Sequence, residues 1–191
     1  MSKILLADVD DTCLQWRAEF ERYVRDHLKM TSKPWLHGKH ELHEWLEIDT
    51  VKTNALLHEF NQSEHFAMLE PCAHARESIE RLANAGWRFI GITSCSDNSM
   101  VAKARRANIK EHFGDAFSGV HCIAPGESKR ELLEAFNPTY WVEDNVRWAK
   151  LGIDIGHTTF LINQEHNQSF VDDKVIRVND WREIAAQILE A

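Results

Sequence analysis

Short apolar runs that alternate with amphipathic helical patterns constrain the fold of this chain more than any other feature. The runs have the length and residue types of buried β-strands and occupy residues 3–7, 88–93, 119–124, 139–143, 159–162 and 175–178. The helical patterns that separate or follow them cover residues 72–85, 98–109, 128–136, 146–151 and 181–189. Strands that alternate with helices predict an α/β fold, with a doubly wound, mainly parallel sheet that is covered on both faces and joined by right-handed crossovers.

One region, residues 14–69, breaks the alternation because it contains helical patterns and no convincing strand. Residues 14–29 form one such pattern, and residues 37–60 form two more that are broken near residues 49–50, either of which could cap a helix. The region is too long for an ordinary loop. We therefore expect a small helical cap inserted after strand one, with the domains being residues 14–69 for the cap and residues 1–13 and 70–191 for the α/β core. The alternative is that these helices belong to the core domain.

Composition and charge limit the classes of function. The 191 residues are 43% apolar and 27% charged, which is the balance of an ordinary globular protein with one sizeable core. The formal net charge of -8 argues against a polynucleotide partner, because phosphate backbones attract basic surfaces, whereas a pocket for one small phosphate needs only a local positive site. No stretch reaches the roughly 18 apolar residues of a membrane span, so we expect no membrane partner.

Cysteine usage and the first residues bear on the cellular compartment. None of the four cysteines forms a CxxC pair, which argues against a zinc knuckle, and a chain of this size needs no disulfides, which suits a reducing compartment. The chain runs at once into the first strand with acidic residues behind it, a pattern typical of neither a signal peptide nor a transit peptide. We expect a cytoplasmic protein that is a monomer or a homodimer.

The segment LLADVDDTCLQW places three carboxylates directly after the first strand, those of Asp8, Asp10 and Asp11. Like charges this close repel each other and are costly to desolvate, so a positive group is expected beside them. The ends of two later strands and the start of one helix carry further polar residues, which are Thr93, Ser94, Lys129, Glu143 and Asp144. Because chemistry collects at the carboxyl ends of parallel strands, we expect these residues to form one site.

Four motifs in this order resemble those of the haloacid dehalogenase superfamily of phosphotransferases. They are DVDDT as a DxDxT nucleophile motif, FIGITS as an apolar strand ending in Thr and Ser, GESKRELL with its lysine, and YWVEDN as an apolar strand ending in an acidic pair. The resemblance covers essentially the whole chain and implies a Rossmann-like core and Mg²⁺-dependent chemistry on phosphate esters. Members that dehalogenate lack the second aspartate, because a halide leaves without a proton, so Asp10 favours phosphate transfer.

The resemblance also implies a role for each motif residue. Asp8 would be the nucleophile and form an aspartyl-phosphate, and Asp10 would protonate the leaving oxygen and then take a proton from water. Thr93 would bind phosphoryl oxygens, and Lys129 would pair with the phosphate and the nucleophile. The protein ligands of Mg²⁺ would be the Asp8 side chain, the backbone carbonyl of Asp10, Asp144 and, directly or through a water, Glu143.

Within the superfamily, the chain is most similar to the 5'(3')-deoxyribonucleotidases, which have a helical cap at the same position. The segments HFAMLEPCAHARESIERL, ITS, KARRANIKEHFGDAF and NDWREI carry this likeness. It implies that Ser94 and Lys103 bind the substrate phosphate and that aromatic residues of the cap hold the base, which would be Trp16, Phe20, Trp45 and Phe66. Packing within the cap is the alternative for each of these aromatic residues.

The chain departs from the nucleotidases at two positions. A basic residue is expected a few positions after Thr93, where this chain has Asp97, and another two positions before Lys129, where it has Glu127. Both departures concern substrate affinity rather than the reaction. We expect a small-molecule phosphate monoester as substrate, a deoxyribonucleoside or other nucleoside monophosphate first and a sugar phosphate or other small metabolite as the alternative. A protein that binds phosphate without turnover is the alternative outside catalysis.

Overall fold

Six strands form a single sheet in the computed structural model, which describes residues 3–30 and 42–190. The strands are β1 (Lys3–Ala7), β2 (Trp87–Thr93), β3 (Phe117–Cys122), β4 (Tyr140–Glu143), β5 (Thr158–Ile162) and β6 (Val175–Val178). Their order across the sheet is β3-β2-β1-β4-β5-β6, and every neighbouring pair is parallel. The predicted α/β class and doubly wound topology are therefore confirmed.

Helices pack on both faces of this sheet. Those before β2 are α1 (Trp16–Arg22), a π-helical turn (Tyr23–His27), α2 (Leu42–Leu46), α3 (Thr50–Asn61), α4 (Glu64–Ala67) and α5 (Ala75–Asn84). Those after β2 are α6 (Ser99–Phe113), α7 (Arg130–Glu134), α8 (Val146–Ile155), a 3-10 turn (Glu165–Asn167) and α9 (Trp181–Glu190). Successive strand residues point to opposite faces, and Leu5 and Leu6 accordingly belong to two separate buried clusters. In residues 3–30 and 42–190, no helix combines the length and apolar composition that crossing a bilayer requires.

The end of β1 lies at the point where the strand order reverses. The chain continues from β1 to β2 on one side, with Leu5 opposite Phe89, whereas β4 pairs with β1 on the other side. In doubly wound sheets, this reversal opens a crevice beyond the carboxyl ends of the strands, and ligands bind there. The topology therefore brings Asp8, which follows β1, next to Glu143, which ends β4.

Where the structure describes residues 14–69, they form helices joined by short turns and no strand, as the sequence predicts. Asp49 caps α3, because its carboxylate accepts a hydrogen bond from the Lys52 backbone N–H at 2.9 Å, and this cap confirms the predicted break between two helices. The first residues of the 37–60 pattern, up to residue 41, lie outside the described residues. Phe60 and Phe66 belong to the same buried cluster as Leu5 on the sheet. The division into a cap and a core stays a prediction.

Candidate active site

The turn after β1 aims Asp8 at the neighbouring strand. Backbone N–H groups of Cys13 and Leu14 both donate to the carbonyl of Val9, at 2.8 and 2.9 Å, which closes a tight turn. Asp11 adopts a left-handed φ of +56° in this turn, a conformation that short polar side chains tolerate, and its carboxylate accepts from the Arg17 N–H at 2.9 Å. Asp11 is therefore a turn residue, which leaves Asp8 and Asp10 as the candidate reacting carboxylates at this strand end.

Lys129 supplies the positive charge that the sequence predicts beside these carboxylates. Its Nζ donates to Asp8 Oδ1 at 2.6 Å and to Glu143 Oε2 at 2.9 Å, and the residue is only 2% exposed. Burial alone would lower the pKa of the Lys129 ammonium, but the two carboxylates outweigh burial and raise this pKa above its ordinary value. Rings of Trp141 and Trp148 lie 5.3 and 5.8 Å from the ammonium. Lys129 is therefore a charged group that joins the nucleophile candidate to the acidic pair.

Three buried carboxylates converge at this point, those of Asp8, Glu143 and Asp144, with ligand oxygens that all lie within 4.8 Å of one another. Burial, and then the charge of Glu143, raises the pKa of Asp8 and that of Asp144 well above the ordinary value of an aspartate. Such a set of oxygen donors around an excess of negative charge is what a hard divalent cation such as Mg²⁺ prefers. The side chains present therefore fit Mg²⁺, in the set that the motifs predict.

Glu143 is held by backbone groups of its own motif, whereas Asp144 is held by residues outside the four motifs. Glu143 Oε1 accepts from the backbone N–H groups of Asp144 and Asn145 at 3.1 and 3.0 Å. The Asp144 carbonyl accepts from Asn167 Nδ2 at 2.7 Å and lies 3.0 Å from His166 Nε2. His166 and Asn167 lie in the 3-10 turn after β5, a short segment without a recognisable motif, so the sequence interpretation missed them. Together these bonds fix the orientation of the acidic pair.

Asp10 lies beside Thr93 and a buried arginine that the sequence interpretation also missed. Thr93 Oγ1 donates to Asp10 Oδ2 at 3.0 Å, which brings the second aspartate and the end of β2 together as the motifs predict. Arg105 Nη2 donates to Asp10 Oδ1 at 2.5 Å from α6. The sequence does hold a signal for Arg105, because the residue recurs at helical spacing with the buried Val101 and Ile109. A charged residue on the apolar face of a helix is unusual and points to a specific partner.

Ser94 carries a polar atom that has no partner in the described structure. Its Oγ is buried without a hydrogen bond, and the residue lines the same pocket as Asp8, Lys129 and Asp144, a cavity of about 210 Å³. Buried hydroxyl groups are nearly always hydrogen-bonded. A ligand oxygen in this pocket would satisfy the hydroxyl, which agrees with the predicted contact between Ser94 and the phosphate.

The predicted base contacts are mostly buried in the packing of the helices. Phe20 is fully buried and Trp45 is 8% exposed, so neither offers a free face to a ligand in this conformation. Trp16 is half-buried, and its indole stacks on Phe20 with ring centroids 5.0 Å apart while Nε1 donates to Asn61 Oδ1 at 3.3 Å. Residues four apart on a helix meet in this way, so packing accounts for this pair of rings, and a contact of Trp16 with a base stays a prediction. Phe66, also fully buried, packs in the same cluster.

Lys103, which the nucleotidase resemblance implies as a phosphate contact, lies on the exposed side of α6. It is exposed on α6 and is not among the residues that line the acidic pocket. Two positions further along the same helix, Arg105 points to the interior and meets Asp10. Because residues two apart on a helix do not share a face, Arg105 and not Lys103 meets the carboxylates of the pocket, and a contact of Lys103 with the phosphate stays a prediction.

Comparison with known sequences identifies no family and no relative of known function. No family model matches the chain. One curated relative is an uncharacterised 32.4 kDa protein in the Gp30-rIII intergenic region of Enterobacteria phage T4, which is 25% identical over 155 residues. The alignment covers 75% of this chain and 54% of the phage protein, so the chain spans about half the length of the curated relative that it matches.

Solved structures share the fold at low sequence identity. The D,D-heptose 1,7-bisphosphate phosphatase from B. bronchiseptica, complexed with magnesium and phosphate, matches with a TM-score of 0.60 at 12% identity over 98% of both chains. CbbY from Rhodobacter sphaeroides, in complex with phosphate, matches with a TM-score of 0.62 at 14% identity over 96% of both chains. An L-2-haloacid dehalogenase, PA0810, matches with a TM-score of 0.58 at 13% identity, covering 98% of this chain and 100% of its own. The predicted Rossmann-like fold is thereby confirmed, and these phosphatases and this dehalogenase share it.

Proposed function

We propose that this protein is a Mg²⁺-dependent phosphomonoester hydrolase that acts through an aspartyl-phosphate. One observation carries the proposal: Lys129 Nζ bridges Asp8 and Glu143, at 2.6 and 2.9 Å, in a pocket that also holds Asp144. A buried lysine between carboxylates at strand ends matches what phosphoryl transfer needs, a nucleophile whose charge is offset by fixed positive groups. The solved phosphatases that share the fold support this assignment.

The reaction has two steps, in which Asp8 and Asp10 exchange their tasks. In the first, a carboxylate oxygen of Asp8 attacks phosphorus, the bond from phosphorus to the ester oxygen breaks, and Asp10 gives its proton to the leaving oxygen. In the second, water attacks the phosphorus of the aspartyl-phosphate and gives a proton to Asp10. The phosphorus–Asp8 bond then breaks, which frees inorganic phosphate and restores both carboxyl groups.

The remaining motif residues hold the phosphoryl group. Lys129 would contact a phosphoryl oxygen while it stays paired to Asp8, and the unpartnered Ser94 hydroxyl would donate to another. Asp8, Asp144 and the carbonyl of Asp10 would bind Mg²⁺, with Glu143 as a further ligand or as the partner of a ligand water. When bound, Mg²⁺ would offset negative charge on the phosphate and the nucleophile.

Removal of divalent cations tests the metal requirement. We expect EDTA to reduce phosphate release from 4-nitrophenyl phosphate by roughly 100-fold or more, because three clustered carboxylates oppose an anionic substrate without a cation. Added Mg²⁺ should restore the rate, and EDTA saturated with Mg²⁺ beforehand should leave it unchanged. Full activity in EDTA would remove Mg²⁺ from the proposal while leaving the Asp8 chemistry to be tested separately.

The substrate class that we propose first is a nucleoside monophosphate, as the sequence likeness implies. A sugar phosphate is the second candidate, and two observations favour it. Phe20, Trp45 and Phe66 are buried among their own neighbours, so Trp16 alone of the four predicted base contacts keeps a partly exposed ring. Glu127 stands where the nucleotidases have a basic residue, and its carboxylate accepts from the Ala124 N–H at 2.9 Å within a turn. We also propose that residues 14–69 act as the cap that limits access to esters of this size.

A panel of phosphate monoesters separates these substrates. If a base is held, dUMP and dTMP should exceed sugar phosphates such as ribose 5-phosphate at least tenfold in kcat/KM, since stacking on one aromatic ring is worth about 1–3 kcal/mol. The Trp16→Ala variant should then raise KM for the nucleotides roughly tenfold, whereas Trp16→Phe, which keeps a ring, should stay near wild type. If the nucleotides were no better than the sugar phosphates, the nucleotidase assignment would be discarded, and higher kcat/KM on a sugar phosphate would support that class instead.

A further inference from the structure

Arg105 forms a hydrogen-bonded ion pair with Asp10, the proposed acid–base residue. Arg105 Nη2 donates to Asp10 Oδ1 at 2.5 Å, while Thr93 Oγ1 donates to Oδ2 of the same carboxylate at 3.0 Å. With one donor on each oxygen, neither the rotation nor the tilt of the Asp10 carboxylate is free. The Asp10 side chain keeps 22% of its surface exposed, so its position is set by these two bonds rather than by tight packing on every side.

The packing of Arg105 is costly unless the arginine has a specific task. Its side chain is fully buried, and its guanidinium carbon lies 3.9 Å from the centre of the Phe66 ring on α4. Its Nε and Nη1 groups have no hydrogen-bond partner in the described residues. A buried charge with unpaired donors is less stable than a well-packed apolar side chain of similar volume. The ion pair with Asp10 is the contact that such an apolar residue could not replace.

We propose that Arg105 is the positioning residue of the reaction: it holds Asp10 in the orientation from which Asp10 transfers protons. The inference rests on the proposed function, because it assigns Asp10 the acid–base task. Arg105 itself touches no reacting atom and acts through Asp10 alone. The stacked ring of Phe66 fixes the guanidinium from the other side, so α4 and α6 together determine where the carboxylate lies.

Two substrates whose leaving groups differ in basicity distinguish a positioning role from a purely structural one. A structural defect would lower kcat/KM for both substrates equally, whereas misplacement of Asp10 would not. Phenolate is more basic than 4-nitrophenolate, so phenyl phosphate depends more strongly on a proton from Asp10 than 4-nitrophenyl phosphate does. The ratio kcat/KM covers only the steps up to the breaking of the ester bond. We expect Arg105→Met to lower kcat/KM for phenyl phosphate at least tenfold more than for 4-nitrophenyl phosphate. Arg105→Lys, which keeps the charge, should give an intermediate ratio.

A double-mutant cycle with Asp10→Asn tests whether Arg105 acts through Asp10. In the Asp10→Asn background, Arg105→Met should change kcat/KM for 4-nitrophenyl phosphate by less than about twofold, because the group it positions is already gone. The positioning role would be overturned if Arg105→Met lowered kcat/KM for both aryl phosphates by the same factor. It would also be overturned if Arg105→Met lowered kcat/KM further in the Asp10→Asn background. Thermal unfolding checks that each variant is folded, and if Arg105→Met is not, the ratio measured with Arg105→Lys decides the question.

The Asp8→Asn variant distinguishes a failure of the positioning role of Arg105 from a failure of the proposed phosphatase mechanism. If Asp8→Asn leaves phosphate release intact, the aspartyl-phosphate mechanism is wrong and Arg105 has no acid–base residue to position. If Asp8→Asn is inactive and the Arg105 variants treat both aryl phosphates alike, only the positioning role is wrong.

Discussion

Replacement of Asp8 by asparagine is expected to reduce phosphate release from 4-nitrophenyl phosphate by roughly 10⁴-fold or more, because an amide oxygen is a poor nucleophile toward phosphorus. The fold should survive, since the amide oxygen can still accept from Lys129 Nζ, which donates to Asp8 at 2.6 Å. The lost attraction between Asp8 and Lys129 is offset by the lost repulsion between Asp8 and Glu143, and Lys129 keeps Glu143 as a charged partner. The measurement is the rate at saturating substrate with Mg²⁺, together with thermal unfolding.

Asp11→Asn is the matched control for this variant. Asp11 belongs to the same turn and has the left-handed φ of +56° that asparagine also adopts, and an asparagine oxygen can still accept from the Arg17 N–H. Its rate should stay within about twofold of wild type, as for a substitution outside the reacting groups. If Asp8→Asn also hydrolysed the substrate at the wild-type rate, Asp8 would not be the nucleophile, whatever the behaviour of the other motif residues.

The sequence predicts the sheet well because strand signals are local. The run at residues 3–7 and the run at residues 175–178 coincide with β1 and β6, and the other four strands differ from prediction by two residues or fewer at either end. The largest shift is in β3, which begins at Phe117 rather than at residue 119 and carries a register irregularity opposite β2. The hydrophobic pattern predicts that a strand is present in a segment, whereas hydrogen-bonded pairing with the neighbouring strand decides at which residue the strand begins.

The site is predictable only where a short motif marks it. Asp8, Thr93, Lys129 and Asp144 lie at strand ends or a helix start, so the topology alone brings them together. His166 and Arg105 enter the site from segments without such a motif, and their contribution depends on which way a side chain points from a turn or a helix. The roles predicted for the aromatic residues stay predictions, since spacing along α1 cannot separate a ring that faces a ligand from one that faces its neighbours.

Loss of the buried ammonium should have the largest effect on stability. Lys129→Met keeps the length of the side chain but removes the cation that pairs with Asp8 and Glu143. The side chains of these two residues are 8% and 1% exposed, so both carboxylates would stay buried without a positive partner. Breaking a buried ion pair from one side costs about 3–5 kcal/mol, and for a chain of this size the melting temperature should fall by roughly 10 °C. Exposed Lys174 provides the control, because Lys174→Met should change the free energy of unfolding by less than about 0.5 kcal/mol.

The cause of that loss can be isolated with a second substitution at Glu143. In wild type, Glu143→Gln should destabilise the protein because it removes one partner of Lys129, whereas in the Lys129→Met background it should stabilise, since one of two unpaired carboxylates disappears. The amide oxygen of the glutamine can keep the bonds from the Asp144 and Asn145 N–H groups. Mg²⁺ should likewise raise the melting temperature of Lys129→Met more than that of wild type, because a divalent cation replaces part of the missing charge. A Lys129→Met protein that melts at the wild-type temperature, or a Glu143→Gln effect of the same sign in both backgrounds, would contradict a site held together by the balance of charge around this lysine.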